Sequence, residues 1–181
     1  MEEGTPRRIA VIGSPGAGKS TLATAIAQAT GLPLIHLDRE YWRPGWVEPE
    51  ATEWATRNAR LVAGERWVID GNYGSSLPAR LDRAELVVWL DLPTATCLLG
   101  AVRRMTAYRG RARPDMREGC PERLDVEFAK FLWYILAFRR RKAPAIGLHL
   151  AASGTCVVRL TSAAERTRFA AALPEALGAT A

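Results

Sequence analysis

A strand-like run, "RIAVI", leads directly into the nine residues Gly13 to Thr21, "GSPGAGKST". Glycines let a backbone curl until successive N–H groups point into one concavity, and a helix that starts just after adds the partial positive charge of its N-terminus. Such a bend receives an anion. Lysine followed by serine has no structural task in an ordinary glycine-rich turn, whereas the spacing G-x-x-x-x-G-K-[ST], met by Gly13 to Ser20, gives each group work on a nucleoside triphosphate. Gly13, Ser14, Pro15, Gly16, Ala17 and Gly18 form the cradle, Lys19 reaches the β and γ phosphates, Ser20 ligates Mg²⁺, and Thr21 opens the helix. The cofactors so implied are a nucleoside triphosphate and Mg²⁺.

Magnesium calls for a carboxylate as well, and two apolar strands end in one: "WVID" at Asp70 and "VVWLD" at Asp91. Asp70 is favoured for the metal because Gly71 and Asn72 follow it and open a polar bend, while Asp91 leads into "LPTAT", where a turn or cap suffices. Glutamate, which activates the hydrolytic water in many such ATPases, does not follow Asp70. That favours phosphoryl transfer over hydrolysis, with a small-molecule acceptor, a nucleotide or nucleoside among the candidates.

An acceptor belongs outside the carboxyl ends of the strands. Asp38, closing the run "LIHLD", is placed there either to hold an acceptor hydroxyl and take its proton or merely to cap a turn. Trp42 and Trp46, in "REYWRPGW", either stack on a base or sugar or plug the domain's own surface. Asn72, Tyr73 and Arg80 follow Asp70 on the same side, with Arg80 a candidate for an acceptor phosphate. His36 alternates with apolar neighbours and reads as a packed core histidine; His149 has no evident catalytic partner.

Charge is unevenly spread. Between Gly100 and Lys142 stand twelve basic side chains and five acidic ones, an excess larger than the +6 of the whole chain. Phosphoryl transfer is catalysed by positioning and by offsetting charge, so arginines on a closing loop can complete such a site, and Arg104, Arg109 and Arg113 are the candidates. A rival use of the same segment is nucleic-acid binding gated by the nucleotide, although no DNA-reading motif accompanies it.

These residues need a frame. Short apolar runs alternate with longer segments of helical period, the pattern of a parallel sheet covered on both faces. Strands are expected over Arg8 to Gly13, Leu34 to Asp38, Trp67 to Gly71, Leu86 to Asp91 and Cys156 to Leu160. Helices are expected over Gly18 to Ala29, Pro49 to Ala63, Thr94 to Tyr108, Pro121 to Lys142 and Ser162 to Leu173, with a short one after Ser76. The segment Arg109 to Cys120, "RGRARPDMREGC", lacks periodicity and reads as a mobile loop.

With 181 residues, 48% of them hydrophobic, one domain over 1–181 is expected. No stretch has the length and apolarity of a membrane helix, the N-terminal residues lack the apolar core of a secretion signal, and Cys97, Cys120 and Cys156 are too few and too scattered for a disulfide framework. A cytoplasmic location is expected, with the oligomeric state left open.

In these stretches the chain resembles a P-loop kinase of the adenylate kinase type, and more narrowly the bacterial proteins called adenylate kinase-like or DNA topology modulation proteins. The resemblance is carried by "GSPGAGKSTLA", "LDREYWRPGW", "WVIDGNY", "YRGRARPDMREGCPER" and "LDVEFAKFLWYILAFRRR". It implies a three-layer α/β sandwich, a five-stranded parallel sheet in the order 2-3-1-4-5, an arginine-rich lid, and ATP with Mg²⁺ as donor. At "DGNY", Asn72 and Tyr73 replace the proline and acceptor-binding arginine of adenylate kinases.

Overall fold

The computed structural model describes residues 5–173 and 177. Its centre is a five-stranded, wholly parallel sheet: β1 (Arg8–Gly13), β2 (Leu34–His36), β3 (Trp67–Asp70), β4 (Leu86–Leu90) and β5 (Cys156–Leu160), in the order β2-β3-β1-β4-β5. Pairing of Val11 with both Asp70 and Val88 puts the ends of β3, β1 and β4 at one edge, where the glycine loop and both strand-end aspartates emerge.

Alternation along the strands sends successive side chains to opposite faces. Ile9, Val11, Val68 and Val88 join one core, against α1 (Lys19–Thr30), α5 (Thr94–Tyr108), α6 (Val126–Arg141) and α8 (Ala163–Ala171). Ala10, Ile12, Ile69, Val87 and Trp89 join the other, against α3 (Ala51–Ala63), α4 (Leu77–Leu81) and α7 (Ala143–Ser153). Both faces are therefore dry. β1, β3 and β4 contain almost nothing but buried apolar residues, as doubly covered parallel strands require.

Several expected boundaries change. β2 ends at His36, and Leu37–Tyr41 turn into a short helix, α2, so Asp38 sits in a helical first turn and not on a strand. The helix expected from Pro121 begins at Val126, where the Asp125 side chain accepts from the Phe128 N–H and caps it. It also stops at Arg141, and α7 packs separately across Trp89 and Phe138. On α6, Phe128, Ile135 and Phe138 are buried, whereas Leu136 is exposed. The expected helix to Leu173 is seen to Ala171.

Candidate active site

The loop between β1 and α1 is held by backbone shape rather than by side-chain caps. Gly13 and Gly16 both have positive φ, and a Cβ on either would collide with a carbonyl oxygen, that of Leu90 or of Cys97. Only glycine lets the loop lie this close to β4 and to α5. The first residue of the loop is clamped twice by Asn72: its side-chain oxygen accepts from the Gly13 N–H at 3.0 Å and its amide donates to the Gly13 carbonyl at 2.7 Å. From the far end of the chain, Arg166 donates to the Ala17 carbonyl at 2.8 Å. Pro15 and Ser14 complete the turn, whose Ala17 N–H donates to Ser14 O.

Lys19 folds back so that Nζ donates to the Ser14 carbonyl at 3.2 Å. Burial lowers the pKa of its ammonium below the ordinary lysine value, and the Asp70 and Asp38 carboxylates pull it partly back. A cation already desolvated and aimed into an amide-lined concavity fits a phosphate. Ser20 and Thr21 lie in the first turn of α1, and, against the opposing effect of burial, Arg113 and the Ser20 hydroxyl hold the Asp115 carboxyl below the usual range.

The two strand-end aspartates differ in their partners. Asp70 is buried, and one oxygen, Oδ2, lies 3.0 Å from His36 Nδ1 while the other, Oδ1, has no partner among the described residues. Asp91 is also buried, but Arg159 grips its Oδ2 and Arg139 stands 3.6 Å from its Oδ1. A buried carboxylate oxygen without a partner costs free energy until a proton or a cation meets it. The donor chemistry beside Ser20 thus fits a divalent cation at Asp70 better than at Asp91.

Asp38, half-buried at the start of α2, accepts a hydrogen bond from Tyr73 Oη at 2.8 Å and faces Arg113 at 3.8 Å. Burial, reinforced by Asp38, raises the Tyr73 pKa, so the phenol remains a donor. Tyr73 packs against Tyr41 and Trp54 with ring centroids 4.6 and 5.0 Å away. Arg80, expected to meet an acceptor phosphate, is instead fully buried beneath this bend. It donates to the carbonyls of Gly71, Asn72 and Tyr73, and burial lowers its pKa to about 10. Its donors are spent on backbone, so the expected substrate contact is corrected to a structural one. Asn72, likewise expected at the acceptor, has its amide committed to Gly13.

The lid segment lies down over this edge. Gly45 N–H donates to Gly119 O at 2.8 Å, Trp46 Nε1 to Pro121 O at 3.0 Å, and Arg117 Nε to Arg39 O at 3.2 Å. Trp42 packs edge-on against Trp46, so the two indoles serve the seam between the aromatic loop and the lid. Within the lid, Arg113 is buried: Nη1 donates to Asp115 at 2.9 Å, and Nε lies 2.8 Å from Glu122 at ion-pair distance but outside hydrogen-bond alignment. Arg104 stands 3.3 Å from the same Glu122 oxygen and over the Phe131 ring; burial, then repulsion from Arg113, lowers its pKa. Arg109 is exposed at the root of the lid and its side chain has no ion-pair partner among the described residues. Of the three expected arginines, Arg113 faces Asp38, Arg104 backs it through Glu122, and Arg109 stands outside.

Sequence reasoning missed His36, Asp115, Glu122 and Arg166. His36 was obscured by its apolar neighbours, and the rest become neighbours of the loop only through contacts distant in sequence.

The fold is that of the P-loop kinases: a five-stranded parallel sheet in 2-3-1-4-5 order with the phosphate loop after its central strand. The family model described as "ATPase family associated with various cellular activities (AAA)" matches residues 9–58. Shikimate kinase from Acinetobacter baumannii, solved in complex with shikimate, superposes with a TM-score of 0.58 at 18% identity, over 95% of this chain and 93% of that one. A gluconokinase from Sinorhizobium meliloti gives 0.53 at 21%, over 97% and 96%. Shikimate kinase from Bacteroides thetaiotaomicron gives 0.57 at 19%, over 96% and 99%. A search of curated proteins finds no match. No helix among the described residues is long and apolar enough to cross a membrane.

Proposed function

We propose that this protein is an ATP-dependent kinase that moves the γ-phosphoryl group of ATP to a hydroxyl or phosphate oxygen of a small acceptor, in a domain built like the adenylate kinases. The observation that carries the reading is the convergence of Lys19, Asp38 and Asp70 at one edge of the sheet beneath Arg113. The residues from Gly13 to Thr21 hold the triphosphate, and Ser20 with Asp70 holds Mg²⁺, which when bound offsets charge on the phosphate oxygens. Asp38 orients the acceptor and takes its proton as the new O–P bond forms. The bond from the γ phosphorus to its bridging oxygen breaks, and ADP leaves with that electron pair. Tyr73 fixes the Asp38 carboxylate for this task by donating to one of its oxygens. Arg113, swung from its present acids, and Lys19 offset the charge spread over the transferred group.

The named kinase neighbours, one with shikimate bound, support a hydroxylated small molecule as acceptor. Asn72 and Tyr73 stand where an adenylate kinase carries a proline and an acceptor-binding arginine, and their polar groups are bonded to Gly13 and Asp38, which supports the same preference. The test is ADP release across panels of hydroxy acids, sugars, nucleosides and nucleoside monophosphates. One acceptor that raises ADP release well above the water background, with loss of the effect in Asp38→Asn, is expected. ADP release equal with every acceptor and with water alone would contradict the proposal.

A further inference from the structure

Three ligand-bearing groups from separate parts of the chain meet beside Ser20: His36 at the end of β2, Asp70 at the end of β3 and Asp115 from the lid, with one donor atom of each within 4.8 Å of the others. The Asp70 carboxylate is buried, and its Oδ1 has no hydrogen-bond partner among the described residues. The group is therefore more than a patch of surface acids: it joins a histidine to a buried carboxylate that still has an unsatisfied oxygen. Two carboxylates supply the charge to balance a divalent ion, and the imidazole adds a nitrogen donor.

We infer that His36, Asp70 and Asp115 form a divalent-metal site that takes Mn²⁺ in preference to Mg²⁺ and joins the lid to the sheet edge. This rests on the reading above for the presence of a metal beside Ser20, and adds the identity of the ion and a ligand from the lid. Mg²⁺ selects oxygen donors and near-ideal octahedra, whereas an imidazole nitrogen favours the first-row transition ions. Mn²⁺ accepts both carboxylate and imidazole, which matches this mixed set. Because Asp115 belongs to the lid, metal binding requires the lid to lie where Arg113 already reaches Asp38, so the ion and lid closure are linked. The seam bonds from Gly45, Trp46 and Arg117 are made in that same closed arrangement.

The test uses the nucleotide-free protein. Loss of the free Mn²⁺ electron paramagnetic resonance signal on titration with protein gives the affinity, competition gives the affinity for Mg²⁺, and ¹⁴N modulation of the bound Mn²⁺ signal reports an imidazole ligand. Expected are one Mn²⁺ per chain, binding at least tenfold tighter than Mg²⁺, and histidine nitrogen modulation. The imidazole nitrogen is the donor that favours a first-row transition ion, so His36→Ala should erase the Mn²⁺ preference while leaving Mg²⁺ within threefold. Asp115→Asn should weaken both ions. Wild-type protein whose bound Mn²⁺ shows no nitrogen modulation, or that binds Mn²⁺ no more tightly than Mg²⁺, overturns the inference whether or not any variant folds. Turnover is not read in this experiment, so a protein that passed it and phosphorylated nothing would sink the kinase reading alone.

Discussion

The ends of β3 and β4 offer two buried aspartates at the same sheet edge, one strand apart on either side of β1, and their surroundings give them opposite uses. At Asp91 the field is closed. Arg159 and Arg139 approach both of its oxygens, and the guanidinium of Arg159 stacks 4.7 Å over the Trp89 ring. Asp70 has one hydrogen-bond partner among the described residues, His36, leaves one oxygen unsatisfied there, and lies close enough to Lys19 to raise its pKa. A carboxylate tied to two arginines holds structure; one left partly unpaired beside a phosphate loop is ready for a cation.

Substitutions at the two ends should therefore separate chemistry from stability. Asp70→Asn is expected to lower phosphoryl transfer ~100-fold or more, the usual cost of losing a strong electrostatic contact in a transition state. Its thermal midpoint should change little, because Asn still fills the site and removes a buried charge. Steady-state ADP release and calorimetric melting check both halves. If Asp70→Asn kept full turnover, the two aspartates would be equivalent and the distinction between them lost.

Below this in effect comes Arg80→Met, which keeps the volume but leaves the carbonyls of Gly71 to Tyr73 without a donor. Orphaning buried acceptors costs roughly 1–3 kcal/mol each, so a loss of about 3 kcal/mol is expected in urea unfolding. If Arg80 instead met substrate, the variant would melt normally and show a raised KM for the acceptor. Smaller still is Asp91→Asn. Its arginine partners are about half exposed and can be rehydrated, so a loss of about 1 kcal/mol is expected with turnover within threefold of the parent.

The smallest effect is in pH. Lys19 has a folded-state pKa below its unfolded value of 10.5, so the unfolded chain binds more protons in that interval and this lysine's contribution to stability rises with pH. Phosphate binding needs the ammonium. Mg·ATP affinity should therefore begin to fall at a pH below 10.5, and binding in that limb should take up protons. Calorimetry in buffers of different ionisation enthalpy measures that uptake, and none would place Lys19 away from the phosphates.

Much of this was legible in the residues. The phosphate loop and all five strands follow from short-range rules, because glycine geometry and apolar runs act within a few positions. The bend at Gly71 and Asn72 sets Asp70 apart from Asp91 within a few residues, whereas the arginine partners of Asp91 come from α6 and β5, far along the chain. Arg80 misled for a related reason. An arginine near a site suggests an anion, and only the folded bend reveals three carbonyls beneath which it is buried. Asp38 was given to a strand because "LIHLD" alternates, whereas β2 is an edge strand of three residues that gives way to a helical turn.

Titration of Mg·ATP into the wild-type protein and into Lys19→Ala tests the whole most directly. Saturable binding of one nucleotide per chain is expected for the parent and at least tenfold weaker binding for the variant. A parent that gives no binding heat at any temperature tried, or a variant that binds as tightly as the parent, would contradict the assignment of the Gly13–Thr21 loop to a triphosphate.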